Sequence, residues 1–213
     1  MKHKLVIFDW DGTVMDSAHK IIVSMKMAAR KLSLPEPSSD AVKHIIGISL
    51  KPAIVELFNL DDQKLADEMV TAYKDAYAAN ESVPTPLFDG MIDVLNHLQE
   101  TERLLAVATG KARRGLVNAW TQSNTQHYFS ASRCADEAHS KPHPDMLIQL
   151  LSELNLNANE AVMIGDTSYD MAMAEALGMD RIGVSYGVHD NDAIEKHSPL
   201  AIIDSPTELI SLL

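Results

Sequence analysis

Four short segments of the chain combine residue types that suit phosphate and a divalent cation. They read DWDGT from Asp9, TGK from Thr109, KPHPD from Lys141 and GDTSYD from Gly165. Carboxylate oxygens are hard ligands of the kind that Mg²⁺ takes together with substrate oxygens, whereas hydroxyl and ammonium groups bind the phosphate itself. An aspartate can also attack phosphorus as a nucleophile. The segments therefore predict chemistry on a phosphate ester with a metal ion present.

The elements that must position these segments are short apolar runs with the length of buried strands. The runs are Leu5–Phe8, Leu104–Ala108, Ala161–Ile164, Arg181–Val184 and Ala201–Ile203, with a less regular one at Ser130–Arg133. Helical patterns alternate with them at Asp89–Glu100, Lys111–Gln122, Pro144–Asn155 and Ser168–Leu177. This alternation predicts an α/β fold with a parallel sheet, and ligands of such sheets bind beyond the carboxyl ends of the strands.

One region interrupts the alternation with helical patterns alone. Its apolar residues recur at helical spacing in Ser17–Leu32, Ser38–Ile46, Ala53–Phe58 and Asp61–Ala79. Two prolines and a glycine then follow in the sequence ESVPTPLFDG. We therefore expect a helical cap subdomain over residues 16–83, inserted into a Rossmann-like core of residues 1–15 and 84–213. Hinge motion is expected near Asp16 and Val83–Leu87.

The spacing of Asp9 and Asp11 gives the two aspartates different expected roles. Asp9 ends a strand, so the sheet can hold it rigidly for attack on phosphorus. Asp11 is placed to protonate the leaving oxygen and later to activate water. Gathering Asp9, Asp11, Asp166 and Asp170 at one sheet edge creates like-charge repulsion, which a divalent cation would relieve.

Other residues of the same segments are expected to hold the phosphate. Gly12 permits a tight turn that brings backbone N–H groups toward the phosphate. The Thr109 hydroxyl and the Gly110 N–H can donate hydrogen bonds to the transferring phosphoryl oxygens. Lys141 supplies positive charge that a chain of net charge −12 otherwise lacks. Most of the rate gain is expected from this positioning and charge neutralisation.

The four motifs DWDGTVMD, ATGK, KPHPD and GDTSYD resemble those of the haloacid dehalogenase superfamily. Their order, and the helical insert after the first motif, resemble the phosphoglycolate-phosphatase-like branch. The resemblance implies a Rossmann-like core with a mobile helical cap, and Mg²⁺-dependent hydrolysis of a small phosphomonoester through an aspartyl-phosphate. Gly110 stands where that family often has asparagine, so only its backbone can contribute.

The resemblance also implies a role for each acidic residue. Asp9 would be the nucleophile and Asp11 the general acid and base. Mg²⁺ would be held by Asp9, Asp166 and the backbone carbonyl of Asp11. Asp170 would support the metal shell or orient Lys141.

Several other activities share parts of this pattern. Dehalogenases of the superfamily use the same nucleophile but lack a second aspartate, so Asp11 favours phosphate chemistry. A phosphomutase similar to β-phosphoglucomutase shares Asp9 and Asp11, and pyrophosphatase activity is a further alternative. A non-enzymatic phospho-receiver module also pairs acidic residues with a threonine and a lysine, but it is smaller and has no helical insert.

Composition limits the location and the partners of the chain. Thirty acidic and 18 basic residues give a net charge of −12, which disfavours nucleic acid and anionic membrane surfaces. The first apolar run is too short for a signal peptide, and the single cysteine, Cys134, fits a reducing compartment. We therefore expect a cytoplasmic protein, as a monomer or homodimer, whose partner is a small-molecule phosphate ester.

The sequence suggests two further sites, one for substrate specificity and one for a second metal. The loop after Gly47 is expected to face the sheet edge, where Ser49 or Lys51 would read the non-phosphate part of the substrate; a plain surface position for Lys51 is the alternative. Cys134, His139 and His143 could in principle bind zinc. Prolines flanking His143 disrupt the helix that would align the histidines, so this second metal site is disfavoured.

Overall fold

The structure, a computed structural model, describes residues 2–213 and contains a six-stranded, fully parallel sheet. Its strands are β1 (Leu5–Phe8), β2 (Leu104–Ala108), β3 (Ala131–Arg133), β4 (Ala161–Gly165), β5 (Asp180–Val184) and β6 (Ala201–Ile203). They lie in the order β3-β2-β1-β4-β5-β6. All six predicted strands are present, with ends that differ by at most one residue, and the α/β prediction is confirmed.

Strand β1 lies in the middle of the sheet and sets the position of the first motif. Phe8, its last residue, pairs in register with Val107 of β2 and Ile164 of β4. All four residues of β1 are buried, as expected of a parallel strand covered on both faces. The segment after Phe8 therefore begins between the ends of two neighbouring strands.

Helices cover both faces of the sheet, and alternate side chains of β1 point into different clusters. Val6 and Phe8 pack into one apolar cluster, whereas Leu5 and Ile7 pack into another. In chain order, the helices after the insert are α5 (Met91–Glu100), α6 (Arg113–Ser123), α7 (Asp145–Leu154), α8 (Ser168–Glu175), α9 (Asn191–Glu195) and α10 (Leu209–Leu212). The four predicted helices of this part are confirmed, and the short α9 and α10 are additional.

The insert consists of four helices, α1 (Ala18–Lys31), α2 (Ser39–His44), α3 (Leu50–Phe58) and α4 (Gln63–Ala79). They enclose their own apolar cluster, which includes Met25, Ile54 and Met69. Helix α3 begins three residues earlier than predicted because Pro52 is tolerated within a first helical turn. None of the described helices has the length and the apolar composition needed to cross a membrane.

Two chain segments connect the insert to the sheet and run side by side. Met15 forms a β-bridge with Leu87, and the Asp16 N–H donates a hydrogen bond to the carbonyl of Pro86 at 2.8 Å. The segments that contain the expected hinge thus touch each other. The division at residues 15/16 and 83/84, and the hinge motion itself, stay predictions.

Candidate active site

The carboxyl ends of β1, β2 and β4 bring the predicted motifs together. Asp9 follows β1, Thr109 follows β2, and Asp166 follows β4. All three side chains are buried. Buried acidic groups at strand ends cost free energy unless charge or hydrogen bonding compensates them, so their surroundings are informative.

Lys141 is the cationic centre of the site. Its Nζ lies 2.7 Å from Asp9 Oδ1 and 2.6 Å from Asp170 Oδ1, and the residue is only 2% exposed. Burial alone would lower the pKa of Lys141, but Asp170 and Asp9 together raise it above its usual value, so the lysine is cationic. The predicted partnership of Asp170 with Lys141 thus has a direct contact behind it.

Asp170 is itself held by the start of α8. Its other oxygen, Oδ2, accepts hydrogen bonds from the Thr167 hydroxyl at 2.6 Å and from the Thr167 N–H at 3.2 Å. The Asp170 N–H in turn donates a hydrogen bond to the Thr167 hydroxyl oxygen, which completes a capping box at this helix N-terminus. A local helix signal therefore fixes the side chain that orients Lys141.

The second oxygen of Asp9 has no partner among the described residues. Asp9 Oδ2 is buried and accepts no hydrogen bond from residues 2–213. Burial raises the pKa of Asp9 to about 7, against the lowering effect of Lys141, and burial followed by Asp9 and Asp170 raises the pKa of Asp166 well above its usual range. Lys141 alone therefore does not offset the negative charge of these carboxyl groups.

The same carboxylates are spaced for a metal ion. One oxygen from each of Asp9, Asp166 and Asp170 lies within 4.8 Å of the others. A hard divalent cation would meet the orphaned oxygen of Asp9 and offset the repulsion, and carboxylate oxygens suit Mg²⁺. Asp9 has an orphaned oxygen and Asp166 has no cationic partner among residues 2–213, whereas Asp170 already binds Lys141, so Asp9 and Asp166 are best suited to hold it.

Gly12 lies close against Asp166. Its φ is +90°, and a Cβ at this position would meet Asp166 Oδ2 at 2.1 Å. Asp166 is also fixed by the Thr13 hydroxyl at 2.9 Å and the Val188 N–H at 3.0 Å. The Gly12 N–H donates to the carbonyl of Met15 at 2.9 Å, so the turn is formed and this N–H is used within it.

Asp11 has both oxygens occupied. Ser17 donates its hydroxyl to Oδ1 at 2.6 Å, and the Lys111 ammonium lies 2.8 Å from Oδ2. Burial would lower the pKa of Lys111, but Asp11 raises it to about 12. The expected acid and base is thus held between the start of the insert and the second motif.

Thr109 and Gly110 stand at the border between sheet and insert. The Thr109 hydroxyl accepts the Lys111 N–H at 3.1 Å, which leaves its own proton available for a ligand. A Cβ on Gly110 would lie 2.5 Å from the carbonyl oxygen of Gly47 and 2.7 Å from that of Ile48. The absence of a side chain at Gly110 is therefore what allows the insert to approach this closely.

The two expected specificity residues occupy different environments. The Ser49 N–H donates to Ser140 Oγ at 2.9 Å, directly beside Lys141. The Lys51 ammonium pairs with Asp67 at 2.7 Å within the insert, and its side chain is 41% exposed. The loop that contains Ser49 thus touches the core, whereas Lys51 is engaged elsewhere.

Several residues of the site were not predicted from the sequence to have a role. Ser17 and Lys111 bind Asp11, although Lys111 belongs to a recognised motif. Tyr73 and Tyr77 of α4 pack with ring centroids 5.9 Å apart, and Tyr77 lies beneath Lys111. The one available signal was the spacing of four residues between the tyrosines, which places them on one helix face.

Comparison with known proteins agrees with this architecture. The sequence pattern of the haloacid dehalogenase-like hydrolase family matches residues 6–184, which is most of the chain. A solved structure of a haloacid dehalogenase-like family hydrolase from Streptococcus pneumoniae superimposes with a TM-score of 0.86 at 23% identity. That match covers 99% of this chain and 98% of the other, and it supports the fold.

Curated relatives extend over nearly the same length. A protein named "Probable phosphatase IndB" from Dickeya dadantii is 35% identical over 97% of this chain and 91% of its own. A phosphoglycolate phosphatase from Pseudomonas putida is 26% identical over 97% of this chain and 78% of its own. Other relatives are named as a pyrophosphatase, a 5'-nucleotidase and a tyrosine-protein kinase, so the names agree on phosphate chemistry but differ in substrate.

Proposed function

The chain belongs to the haloacid dehalogenase-like hydrolase family, and we propose that it is a Mg²⁺-dependent phosphatase that hydrolyses a small phosphomonoester through an aspartyl-phosphate on Asp9. One observation carries the proposal. Asp9 is 1% exposed at the end of the central strand, with one oxygen fixed by Lys141 and the other without a hydrogen-bond partner in residues 2–213. A structural aspartate would have both oxygens satisfied, whereas a nucleophile needs one of them available.

The reaction follows from the two aspartates of the first motif. The Asp9 carboxylate attacks phosphorus, and the bond from phosphorus to the leaving oxygen breaks. Asp11 gives its proton to that oxygen, which releases an alcohol. Asp11 then takes a proton from water as the water attacks the phosphorus of the aspartyl-phosphate. Inorganic phosphate leaves, and the Asp9 carboxylate and the proton on Asp11 are regenerated.

The metal ion would be held by the carboxylates of Asp9 and Asp166 and the backbone carbonyl of Asp11. When bound, Mg²⁺ supplies positive charge that offsets the negative charge of the phosphoryl group. The ammonium of Lys141 adds positive charge on the other side of Asp9. Thr109 donates its hydroxyl proton to a phosphoryl oxygen, and backbone N–H groups near Gly12 and Gly110 complete the expected phosphate site.

The size of the substrate follows from the position of the insert. The carbonyls of Gly47 and Ile48 lie against Gly110, which leaves little room for a polymer. A small ester is therefore the proposed ligand, with the loop at Ser49 closest to its non-phosphate part. The pairing of Lys51 with Asp67 argues against a direct role for that lysine. Unchanged kinetic constants in Lys51→Ala across a panel of esters would remove Lys51 from the specificity residues.

The cellular setting remains a proposal as well. An acidic chain with one buried cysteine suits a cytoplasmic enzyme, and monomeric or homodimeric assembly is expected. Size measurement by light scattering would decide between the two assemblies.

The first experiment is an assay against a panel of phosphomonoesters, with Mg²⁺ and with a chelator. Asp9→Asn removes the nucleophile, and Asp192→Asn in α9, an exposed aspartate, is the matched control. The proposal predicts phosphate release that needs Mg²⁺, survives in the control and is abolished in Asp9→Asn. Release that persists with chelator and in Asp9→Asn would contradict it.

The panel also separates the alternatives. Movement of phosphate between positions of a sugar, without net release, would identify a mutase. Preferential cleavage of inorganic pyrophosphate would identify a pyrophosphatase. Stable phosphorylation of Asp9 without turnover would favour a receiver module.

A further inference from the structure

Two lysines approach the ring of one tyrosine near Asp11. The Lys111 ammonium lies 5.2 Å from the centroid of the Tyr77 ring, and the Lys20 ammonium, from α1, lies 4.7 Å from the same centroid. Lys111 comes from the core, while Lys20 and Tyr77 come from the insert. Lys111 and Lys20, the lysine pair, therefore meet at Tyr77 and connect the core to the insert next to Asp11.

The lysine pair carries more positive charge than its surroundings neutralise. Lys111 has one carboxylate partner, Asp11. Lys20 has no carboxylate within 4.0 Å in the part of the chain that the structure describes. Such a surplus is unexpected in a chain with 30 acidic and 18 basic residues. An aromatic face attracts cations, but a desolvated anion would attract the same two ammonium groups more strongly.

The position of Lys111 also bears on Asp11. In this arrangement the ammonium lies 2.8 Å from Asp11 Oδ2, while Ser17 holds Oδ1. Neither oxygen of Asp11 is then free to face the leaving oxygen of a substrate. An anion on the leaving group could take over the contact with Lys111, which would free Oδ2. The leaving group that Asp11 must protonate would thus supply the negative charge that draws Lys111 away from Asp11.

We propose that the preferred substrate carries a second anionic group, a carboxylate or a phosphate, on its leaving group, and that Lys111 and Lys20 bind this group beside Tyr77. The inference rests on the proposed phosphatase function, because the leaving group is defined by it. It narrows the substrate class to small esters with a negative charge close to the ester oxygen. Esters of neutral alcohols bind at the same phosphate site without drawing Lys111 away from Asp11.

A matched pair of substrates tests the second anion directly. The phosphate monoesters of glycolate and of glycolamide differ only by a carboxylate against a carboxamide. The wild-type protein should favour the charged ester by roughly 30-fold or more in kcat/KM, as expected for a charge-assisted contact. The bisphosphate and the monophosphate of ethanediol form a second arm, which distinguishes a phosphate from a carboxylate as the second anion. No preference for the charged member of either pair would overturn the proposal.

Variants of the lysine pair then assign the preference to residues. Lys111→Met should reduce the ratio between the two glycolyl esters to within about 3-fold, because the charged ester loses the cationic partner that distinguishes it. Lys111→Arg should retain part of the ratio, and Lys20→Met should lower it by a smaller factor. Lys64→Met is the matched control, because Lys64 lies on α4 with a side chain that is 85% exposed. Equal losses on both esters in Lys111→Met, with Lys111→Arg no better, would contradict the proposal.

A binding measurement separates failure of this inference from failure of the proposed function. Phosphonoacetate and phosphonoacetamide resemble the two esters but cannot release phosphate. Calorimetric titration should show tighter binding of phosphonoacetate to the wild type and no difference between the two in Lys111→Met. Lysine-dependent binding without hydrolysis of any ester would keep the anion site and reject the phosphatase. Hydrolysis of the esters together with equal binding of both phosphonates would support the phosphatase and reject the anion site.

Discussion

The core side and the insert side of the site are built in different ways. On the core side, Lys141 touches Asp9 and Asp170 at 2.7 and 2.6 Å, and all three side chains are at most 1% exposed. On the insert side, Lys20 approaches the Tyr77 ring at 4.7 Å without a salt bridge among the described residues. Short buried contacts fix the reacting groups in advance, whereas looser contacts can adjust to a ligand. In the proposed mechanism, chemistry therefore belongs to the core side and substrate recognition to the insert side.

Replacement of Lys141 is the strongest test of this contrast. Lys141→Met leaves Asp9 and Asp170 buried without their cation, so we expect the free energy of unfolding to fall by about 3 to 5 kcal/mol. Activity should fall by roughly 10⁴-fold, because the phosphoryl group loses its lysine. Urea unfolding and steady-state kinetics measure both effects. Lys64→Met provides the control, and a stable, active Lys141→Met variant would contradict the assigned role.

Asp11 lies on the boundary between the two sides, and its replacement should act mainly on the chemistry. Asp11→Asn keeps the shape and the contact with Ser17 but removes the acid and base, so we expect kcat to fall by roughly 10³-fold. The melting temperature should fall less than in Lys141→Met, since Lys111 loses its charged partner but the Lys141 cluster stays intact. A variant with wild-type kcat would assign proton transfer to another group.

Gly110 tests the contact between the sides. A Cβ at this position would meet the carbonyls of Gly47 and Ile48 at 2.5 and 2.7 Å, so Gly110→Ala should keep the insert from closing fully. We expect kcat/KM to fall by roughly 10- to 100-fold through misplacement of the insert. The free energy of unfolding should stay close to that of wild type, because opening relieves the clash. A large loss of stability with normal kinetics would mean that the contact serves folding alone.

His189 should give the smallest effect, at a second contact between the sides. Its ring stacks on that of His44 from the insert, at a centroid distance of 5.5 Å, and it also packs against Tyr169. Burial lowers the pKa of His189, and this outweighs the raising effect of its hydrogen bond to the His44 backbone; the His44 ring lowers the pKa, whereas Asp170 and Asp190 raise it. Near the ordinary histidine pKa of about 6.5, the unfolded chain therefore binds more protons at His189 than the folded chain does. The folded state consequently loses stability as the pH falls from about 7 to 5.

The contribution of His189 to this loss is expected to be small. Thermal unfolding of wild type and His189→Gln across that pH range measures it. The variant should show a flatter dependence on pH than wild type. Identical slopes would show that His189 does not couple folding to protonation.

The sequence predicted the core side of the site much better than the insert side. Each core-side residue stands at a strand end or before a helix, as Asp9, Thr109, Lys141 and Asp166 do. At such positions a sequence motif predicts where its residues lie in the fold. Strand positions followed because buried parallel strands are continuous apolar runs. The α/β fold and the family resemblance are both confirmed.

The insert side depends on contacts between distant segments, which no local pattern reveals. Tyr77 has the pattern of an ordinary helix residue, and its position beneath Lys111 depends on how α4 packs against the core. The sequence places Lys51 in the loop after Gly47, but in the structure Lys51 lies in α3 and pairs with Asp67, sixteen positions later. Ser17 lies six residues from Asp11, and only the turn between them brings the two side chains together.

Direct detection of phosphate on Asp9 tests the central claim most closely. The protein is mixed with excess ester and Mg²⁺, quenched in acid within the first turnover, and digested for mass spectrometry. We predict one added phosphoryl group on the peptide that contains Asp9, and none in Asp9→Asn. Rapid turnover with no phosphorylated peptide, or with the phosphoryl group on another residue, would contradict the account.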